Sequence, residues 1–476
     1  MTADLLERSA KTVSEDLSRA AGPVGPLGEP SIADYLGLLR TGLSGSIRPE
    51  LSDDRARGLL DMALTLIDHL IVRSGPNGAA LAERDAALAK VRHALGGEGL
   101  EQAVADAIAR RSDPAALAEI RAGLAAEDHF LHAIDALEKD AALDRAPVAQ
   151  DPIDAQAIAA YLTRRYGGPV GVDSVGSPIG GFSKDVFILS LTGDARPAHR
   201  IVIRRDLPNG PLEGSVQEEF AVLQAAHAAG VPVAAPLWLE MDPALFGGPT
   251  ICLGFVEGGT VADARGQIPP DKAVASFRLL ARIIGAIHAI DPVAAGLLAP
   301  SDGRSVQTHI LALLASFEEQ WHRRREADSI VLAAGFAWMR ANLPQEQYPV
   351  AIVHGDCSLR NLMVQDDQPT ALLDWETWHF GDAAEDLAYV RDEVESFMPW
   401  SEFMAEYRAA GGPDISDERL HFWSIWRELR GSITSISMMD AVPKGAADIR
   451  AAFGGIYFTR LLMMKLADRL QGLLAA

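Results

Sequence analysis

VHGDCSLRNLMV (Val353–Val364), with LLDWETWHFGDAAEDLAYV (Leu372–Val390) soon after it, is the stretch that decides how this chain is read. A short apolar run opens onto His354-Gly355-Asp356, and Asn361 follows five residues after that Asp. A second apolar run, Ala371-Leu372-Leu373, then delivers Asp374. Carboxylates at the ends of buried strands cost free energy unless something compensates them. A metal ion or a reacting hydroxyl would do so.

Asp356, at a strand-to-loop junction, can accept a hydrogen bond from an alcohol and hold its oxygen in line for attack on phosphorus. Asn361 lies at the Asp-to-Asn spacing of a kinase catalytic loop, where the amide oxygen helps to hold magnesium. Asp374 brings a further hard oxygen of the kind Mg²⁺ takes together with nucleotide phosphates and water. An isolated Asp and Asn read more simply as a turn or a cap. The whole series, His-Gly-Asp, Asn361, the apolar run into Asp374, then Gly381-Asp382 and Asp386, is hard to reach by chance.

Upstream, Ile179-Gly180-Gly181-Phe182-Ser183-Lys184 precedes the β-branched run DVFILSL, and a glycine turn there lets backbone N–H groups approach phosphate, although Gly-Gly before a strand is also an ordinary hairpin turn. Arg204 closes the run RIVIR, and Glu219 lies on a following helical stretch, SVQEEFAVLQAAHAAG. Together they offer the cation and carboxylate that position α- and β-phosphates in kinases. In ICLGFVE, the backbone of Gly254, Phe255 and Val256 is expected at a hinge where it meets an adenine edge.

Around these motifs the pattern changes along the chain. Residues 1–145 have helical spacing, as in LLDMALTLIDHLIV (Leu59–Val72), rich in strong helix formers, with Gly and Pro between the periodic segments. Ser112-Asp113-Pro114 reads as a helix start. After RAPVAQDPIDAQAI (Arg145–Ile158) come short β-branched runs around one helix, then mainly helical sequence from about residue 270.

The carriers GGFSKDVF, RIVIRRD, LGFVEGGTV, LARIIGAIHAIDPVAAGL, HGDCSLRNLMV and LLDWETWHFGDAAEDLA resemble the aminoglycoside phosphotransferase and choline kinase family. They resemble most its branch of phosphotransferase domains related to those fused to acyl-CoA dehydrogenases. The resemblance spans about residues 175–400 and implies an α+β, two-lobed protein-kinase-like fold. It implies a small β-sheet with a helix in the N-lobe (152–257) and a mainly helical C-lobe (258–476); the all-α N-terminal domain (1–145), read from its helical spacing, lies outside the family core and its role is open. It also implies ATP and Mg²⁺, and γ-phosphoryl transfer to a hydroxyl of a small molecule. By position Asp356 is then the catalytic base, and Asn361 and Asp374 are metal ligands. Gly180, Gly181, Ser183, Arg204, Glu219, Gly254, Phe255 and Val256 bind the nucleotide. Asp382 and Asp386 tie the catalytic loop to the next helix. Arg204 stands where the family commonly has lysine, and its broad fork is no simple substitute for a point charge.

Only Trp375–Phe380 separate Asp374 from Gly381-Asp382, which leaves no room for a long switch segment and favours a small acceptor over a protein. Acceptor candidates are Glu376, Trp378, His379, Asp392, Glu393, Glu395, Trp423, Trp426, Glu428 and Asp440. Acids beside aromatics suit a cationic aminoglycoside or quaternary ammonium; Met-rich helices equally suit an acyl chain. Trp at helical spacing also reads as core. His354 is expected to support the loop, His288 to be a partly buried helix residue, and Cys357 to be accessible to alkylation.

The bulk numbers limit the alternatives. At 476 residues more than one domain is expected. The formal charge of −22, with −8 in the first 150 residues and −14 in the rest, disfavours nucleic acid and anionic membrane as partners. Two cysteines fit a reducing compartment, and no apolar run has the length of a membrane span. With no secretory pattern at MTADLLERSAK, a cytoplasmic location is expected. Two rival readings remain: a nucleotide-binding pseudokinase that regulates, and an interaction protein that forms homo-oligomers through its helical N-terminus.

Overall fold

The computed structural model describes residues 32–52, parts of 57–70, and 78–95, 99–110, 113–138, 154–176, 184–206, 214–262, 267–299, 305–324, 328–441 and 449–475. The chain forms two compact units. One takes 1–149, 320–341 and 428–476; the other takes 150–319 and 342–427. The expected third segment, 258–476, is thus shared between the units.

In the first unit α1 (Ile32–Gly42), α2 (Gly78–Leu95), α3 (Leu100–Arg110) and α4 (Pro114–Glu138) are joined by later helices: α9 (Ile330–Ala341), α13 (Trp426–Ala441) from Glu428 on, and α14 (Ile449–Ala475). The cap at Asp113 forms as read: its carboxylate accepts from the amides of Ala115 and Ala116 at 3.0 and 3.1 Å. Most of the Leu59–Val72 stretch lies outside the described residues. The reason for the shared segment is visible in α9. Every residue from Ile330 to Met339 is buried, as expected for a helix apolar all round. α9 packs on α3, α4 and α14, and α14 packs on α4. Its first amides, of Ile330 and Val331, donate to the Glu127 carboxylate of α4 at 2.8 and 3.1 Å.

The second unit opens with α5 (Ala155–Tyr166), capped by Asp154 and ended by Gly167 at φ +70°. A five-stranded antiparallel sheet follows in the order β1-β2-β3-β5-β4. Its strands are β1 (Gly171–Gly176), β2 (Lys184–Thr192), β3 (Arg200–Asp206), β4 (Pro236–Glu240) and β5 (Thr250–Gly254). Alternation along the strands sends Phe187, Leu189, Leu191, Ile201 and Ile203 to one face, where they pack with Ile158 and Leu162 of α5. The same alternation turns Arg204 to the other face. There lies α6 (Val216–Ala228), started by a capping box between Ser215 and Glu218.

Beyond the sheet come α7 (Pro270–His288) and α8 (Val306–Arg324), then short strands that frame the loop at Asp356. β6 (Gly259–Thr260), β8 (Leu362–Gln365) and β9 (Gln368–Leu372) form one sheet, and β7 (Ala351–Val353) pairs with β10 (His379–Gly381). α10 (Ala384–Glu395), α11 (Trp400–Ala409) and α12 (Asp417–Trp423) complete the unit, which α13 (Trp426–Ala441) leaves.

Candidate active site

β7 ends at Val353, and the loop that follows is held by its backbone. The fully buried Asp386 of α10 accepts the amides of His354 and Gly355, each at 2.8 Å, and a hydrogen bond from His288 Nε2 at 3.1 Å. Burial alone would raise the Asp386 carboxyl, but the His288 hydrogen bond and charge, with the His354 amide, outweigh it and hold it down at about 2. His354 Nε2 donates to the Leu373 carbonyl at 3.1 Å while Nδ1 accepts the Asp356 amide at 3.2 Å. With one nitrogen donating and the other accepting, the ring is neutral. It supports the loop and is not placed to take a proton.

That scaffold presents Asp356. Asn361 Nδ2 donates to both the Asp356 backbone oxygen and Oδ2, each at 2.9 Å, and the Tyr389 hydroxyl donates to Oδ1. The Leu373 amide bonds the Asn361 carbonyl at 2.8 Å, so the segment carrying Asp374 is tied to the Asn361 turn. Asp374 itself has left-handed backbone, φ +67° and ψ +59°, a conformation Asp tolerates better than most residues.

Across from this loop, Arg204 forms an ion pair with Glu219 and comes within 3.6 Å of Asp374 and 3.5 Å of Glu376. Glu219 lies in the buried stripe of α6, among Val216, Phe220 and Leu223. Burial raises its carboxyl, with Arg204 and Lys184 pulling it back. The Asp374 carboxyl is also raised, first by burial and then by Glu376, against the pull of Arg204, and the charge of Asp356 adds to the rise. Its side chain keeps 39% of its surface, so solvent moderates that rise. Lys184 bonds Asp206 at 2.8 Å and the Gly214 carbonyl at 2.9 Å.

The residues fit a divalent cation with phosphates. The carboxylates of Asp206, Glu219, Asp356, Asp374 and Glu376 stand against two cations, Arg204 and Lys184. Glu219 Oε2 and Arg204 Nε are buried without a hydrogen-bond partner. A surplus of hard oxygen donors with orphaned polar atoms is what a bound cation and anion would complete.

The structure therefore brings Asp356, Asn361, Asp374, Arg204 and Glu219 together. Gly180, Gly181 and Ser183 lie outside the described residues. In the hinge the Gly254 amide donates to the Ala235 carbonyl at 2.8 Å and that of Phe255 to the Arg200 carbonyl at 3.4 Å. Among the described residues the Val256 amide has no such partner.

Several expectations are corrected. Asp382 does not reach the loop: it accepts from Arg419 and from Trp423 Nε1, both on α12. Glu376, read as an acceptor candidate, lies 3.5 Å from Arg204. For Trp423 and Trp426 the core reading holds and the cage reading falls: both are buried, their indoles tied to Asp382 and Glu385 at 2.8 Å each. Cys357 is fully buried, with no exposed thiol. His288 is buried and directly bonded to Asp386.

Lys184, Tyr389 and His288 were not read as site or support residues. The spacing Glu385, Asp386, Tyr389 carried a signal for one of them: polar residues at helical spacing on α10, two of them buried.

Fold and site define a kinase-like phosphotransferase. The phosphotransferase enzyme family matches residues 176–423, and the chain belongs to it. A crystal structure from Ralstonia eutropha JMP134, assigned to the aminoglycoside phosphotransferases, has the same fold: TM-score 0.51 and 21% identity, over 67% of this chain and 99% of that one. Acyl-CoA dehydrogenase family member 11 of Gallus gallus is 26% identical over 250 residues, covering 50% of this chain and 31% of its own. Member 10 of Mus musculus is 28% identical over 201 residues, covering 41% and 18%. This chain thus spans less than a third of the length of those two relatives.

Proposed function

We propose that the chain transfers the γ-phosphoryl group of ATP to a hydroxyl of a small molecule. Asp356 accepts the hydroxyl proton as the alcohol oxygen forms its bond to the γ-phosphorus and the bond from that phosphorus to the β,γ-bridging oxygen breaks, leaving ADP. Asn361 and Asp374 would hold Mg²⁺, which neutralises phosphate charge. Arg204, oriented by Glu219, grips the phosphates, and the Val256 amide meets the base.

The observation that carries this reading is the Asp356–Asn361 contact at 2.9 Å, on a loop tied to Asp374, which lies 3.6 Å from an Arg204 already paired with Glu219. That pairing favours an active enzyme over a pseudokinase. A small acceptor is favoured by the segment after Asp374, where a 3₁₀ turn, Trp375–Thr377, passes directly into β10. Among the described residues no helix is long and apolar enough to cross a membrane.

The test is ADP release from ATP and Mg²⁺ with panels of alcohols, amino sugars and hydroxyacyl thioesters. Asp356→Asn is expected to lower turnover with the acceptor that works by roughly 10²- to 10⁴-fold while nucleotide binding persists. Unchanged turnover in that variant would sink the assignment.

A further inference from the structure

We propose that Tyr389 is a positioning residue for Asp356, an inference that rests on the reading of Asp356 as the base. The Tyr389 hydroxyl donates to Asp356 Oδ1 while Asn361 Nδ2 holds Oδ2 at 2.9 Å. Both oxygens of the carboxylate are therefore fixed from opposite sides. An ionised carboxylate has about four acceptor sites, so each oxygen keeps capacity for an incoming alcohol.

Tyr389 is well placed for this role because its own position is constrained. It lies on α10 three residues after Asp386, which holds the amides of His354 and Gly355. One helix face thus sets both the backbone of the loop and the side chain it presents. From the other side Arg427 stands over the Tyr389 ring, 4.5 Å from its centre, and donates to the Tyr389 backbone carbonyl at 3.3 Å. A ring held by helix and guanidinium keeps its hydroxyl in place at little entropic cost on binding. If Tyr389 were only packing, its hydroxyl would have no need to face the carboxylate.

The chain has seven tyrosines, so protein labelled with ¹³C at the tyrosine ζ carbon gives a spectrum that can be assigned, Tyr389 being the line lost in Tyr389→Phe. In Asp356→Asn that line is expected to move more than the others, because its hydrogen-bond acceptor has lost its charge. In Tyr389→Phe, kcat for ADP release is expected to fall about tenfold, roughly 1.4 kcal/mol, with the KM for ATP and the melting temperature close to wild type.

A Tyr389 line that is the same in wild type and Asp356→Asn would overturn the proposal. So would a Tyr389→Phe enzyme with undiminished kcat, or one whose loss lies in stability and KM alone. If Tyr389→Phe does not fold, the Tyr389 line is assigned by its contact with Arg427 and compared between wild type and Asp356→Asn. If Asp356→Asn retains full turnover, the function proposed above fails, and the spectrum still judges the hydrogen bond by itself.

Discussion

At Arg204 a single guanidinium answers three carboxylates. It pairs with Glu219 and lies within 3.6 Å of both Asp374 and Glu376. An ammonium is a compact point charge and cannot span such a set. Arg204→Lys is therefore expected to weaken nucleotide binding by roughly tenfold, the loss of about one charge-assisted hydrogen bond, with the fold retained. Arg204→Ala should do more. It leaves Glu219, 1% exposed, as a buried charge without its partner, a change that costs about 3–5 kcal/mol. Urea unfolding separates the two variants. Equal stability for both would mean that Glu219 is held by something other than Arg204.

Asp386 gives a pH dependence with a definite sign. Its carboxyl titrates at about 2 in the fold against 3.8 for the ordinary group. The stabilisation is therefore fully present above pH 3.8 and is lost as pH falls through the interval down to about 2. Its size is about 2 kcal/mol at neutral pH. Asp386→Asn should be less stable than wild type at pH 6, and the gap should narrow as the pH is lowered below 4. A gap that stays constant down to pH 2 would show that the charge is not what holds His354 and Gly355.

At the scale of elements, the hairpin that joins β8 to β9 turns on Asp366 and Asp367, both left-handed, with φ of +50° and +59°. Two consecutive residues of that kind make a type I′ turn, for which Asn-Gly is the favoured pair. Asp366→Asn with Asp367→Gly is expected to raise stability by about 1 kcal/mol, read as a higher denaturant midpoint with an unchanged slope. No gain would mean that the aspartates have local partners that offset their strain.

The same scale explains what was legible in the sequence. Asp356, Asn361 and Asp374 could be read because each sits at a fixed offset from a short apolar strand, and strand ends place side chains predictably. Arg204 was legible for the same reason. Glu219 stood beside Glu218 and the two looked alike. The capping box uses Glu218, which leaves Glu219 on the buried stripe. His288 was hidden because its partner Asp386 is brought to it only by tertiary structure, and Lys184 because its partner Asp206 depends on the register of β2 against β3. The tryptophans of α12 and α13 were ambiguous in sequence, since an indole serves a core and a cage equally well until its N–H partner is known.

On the scale of the whole molecule, the chain passes from the first unit to the second and back more than once, so neither unit is a continuous segment. The first 149 residues form a compact unit together with two stretches from the C-terminal third. Glu127 shows how closely these are joined. It is 2% exposed, accepts the two leading amides of α9 and faces Arg84 at 3.4 Å. A carboxylate at a helix start serves as a cap and also meets the positive end of the helix dipole. Glu127→Ala removes all of these at once and leaves buried donors unmatched, at a cost of about 2–4 kcal/mol. Glu127→Gln keeps an acceptor oxygen for the amides and should lose only part of that. Calorimetry on the full chain is expected to rank wild type above Glu127→Gln and Glu127→Ala last. If both variants melted with wild type, α9 would not depend on Glu127 for its start, and its tie to α4 would rest on apolar packing alone. With the ranking as expected, a chain cut at residue 150 would expose the apolar surface of α9, and its loss of activity would say nothing about whether the N-terminal helices bind a partner.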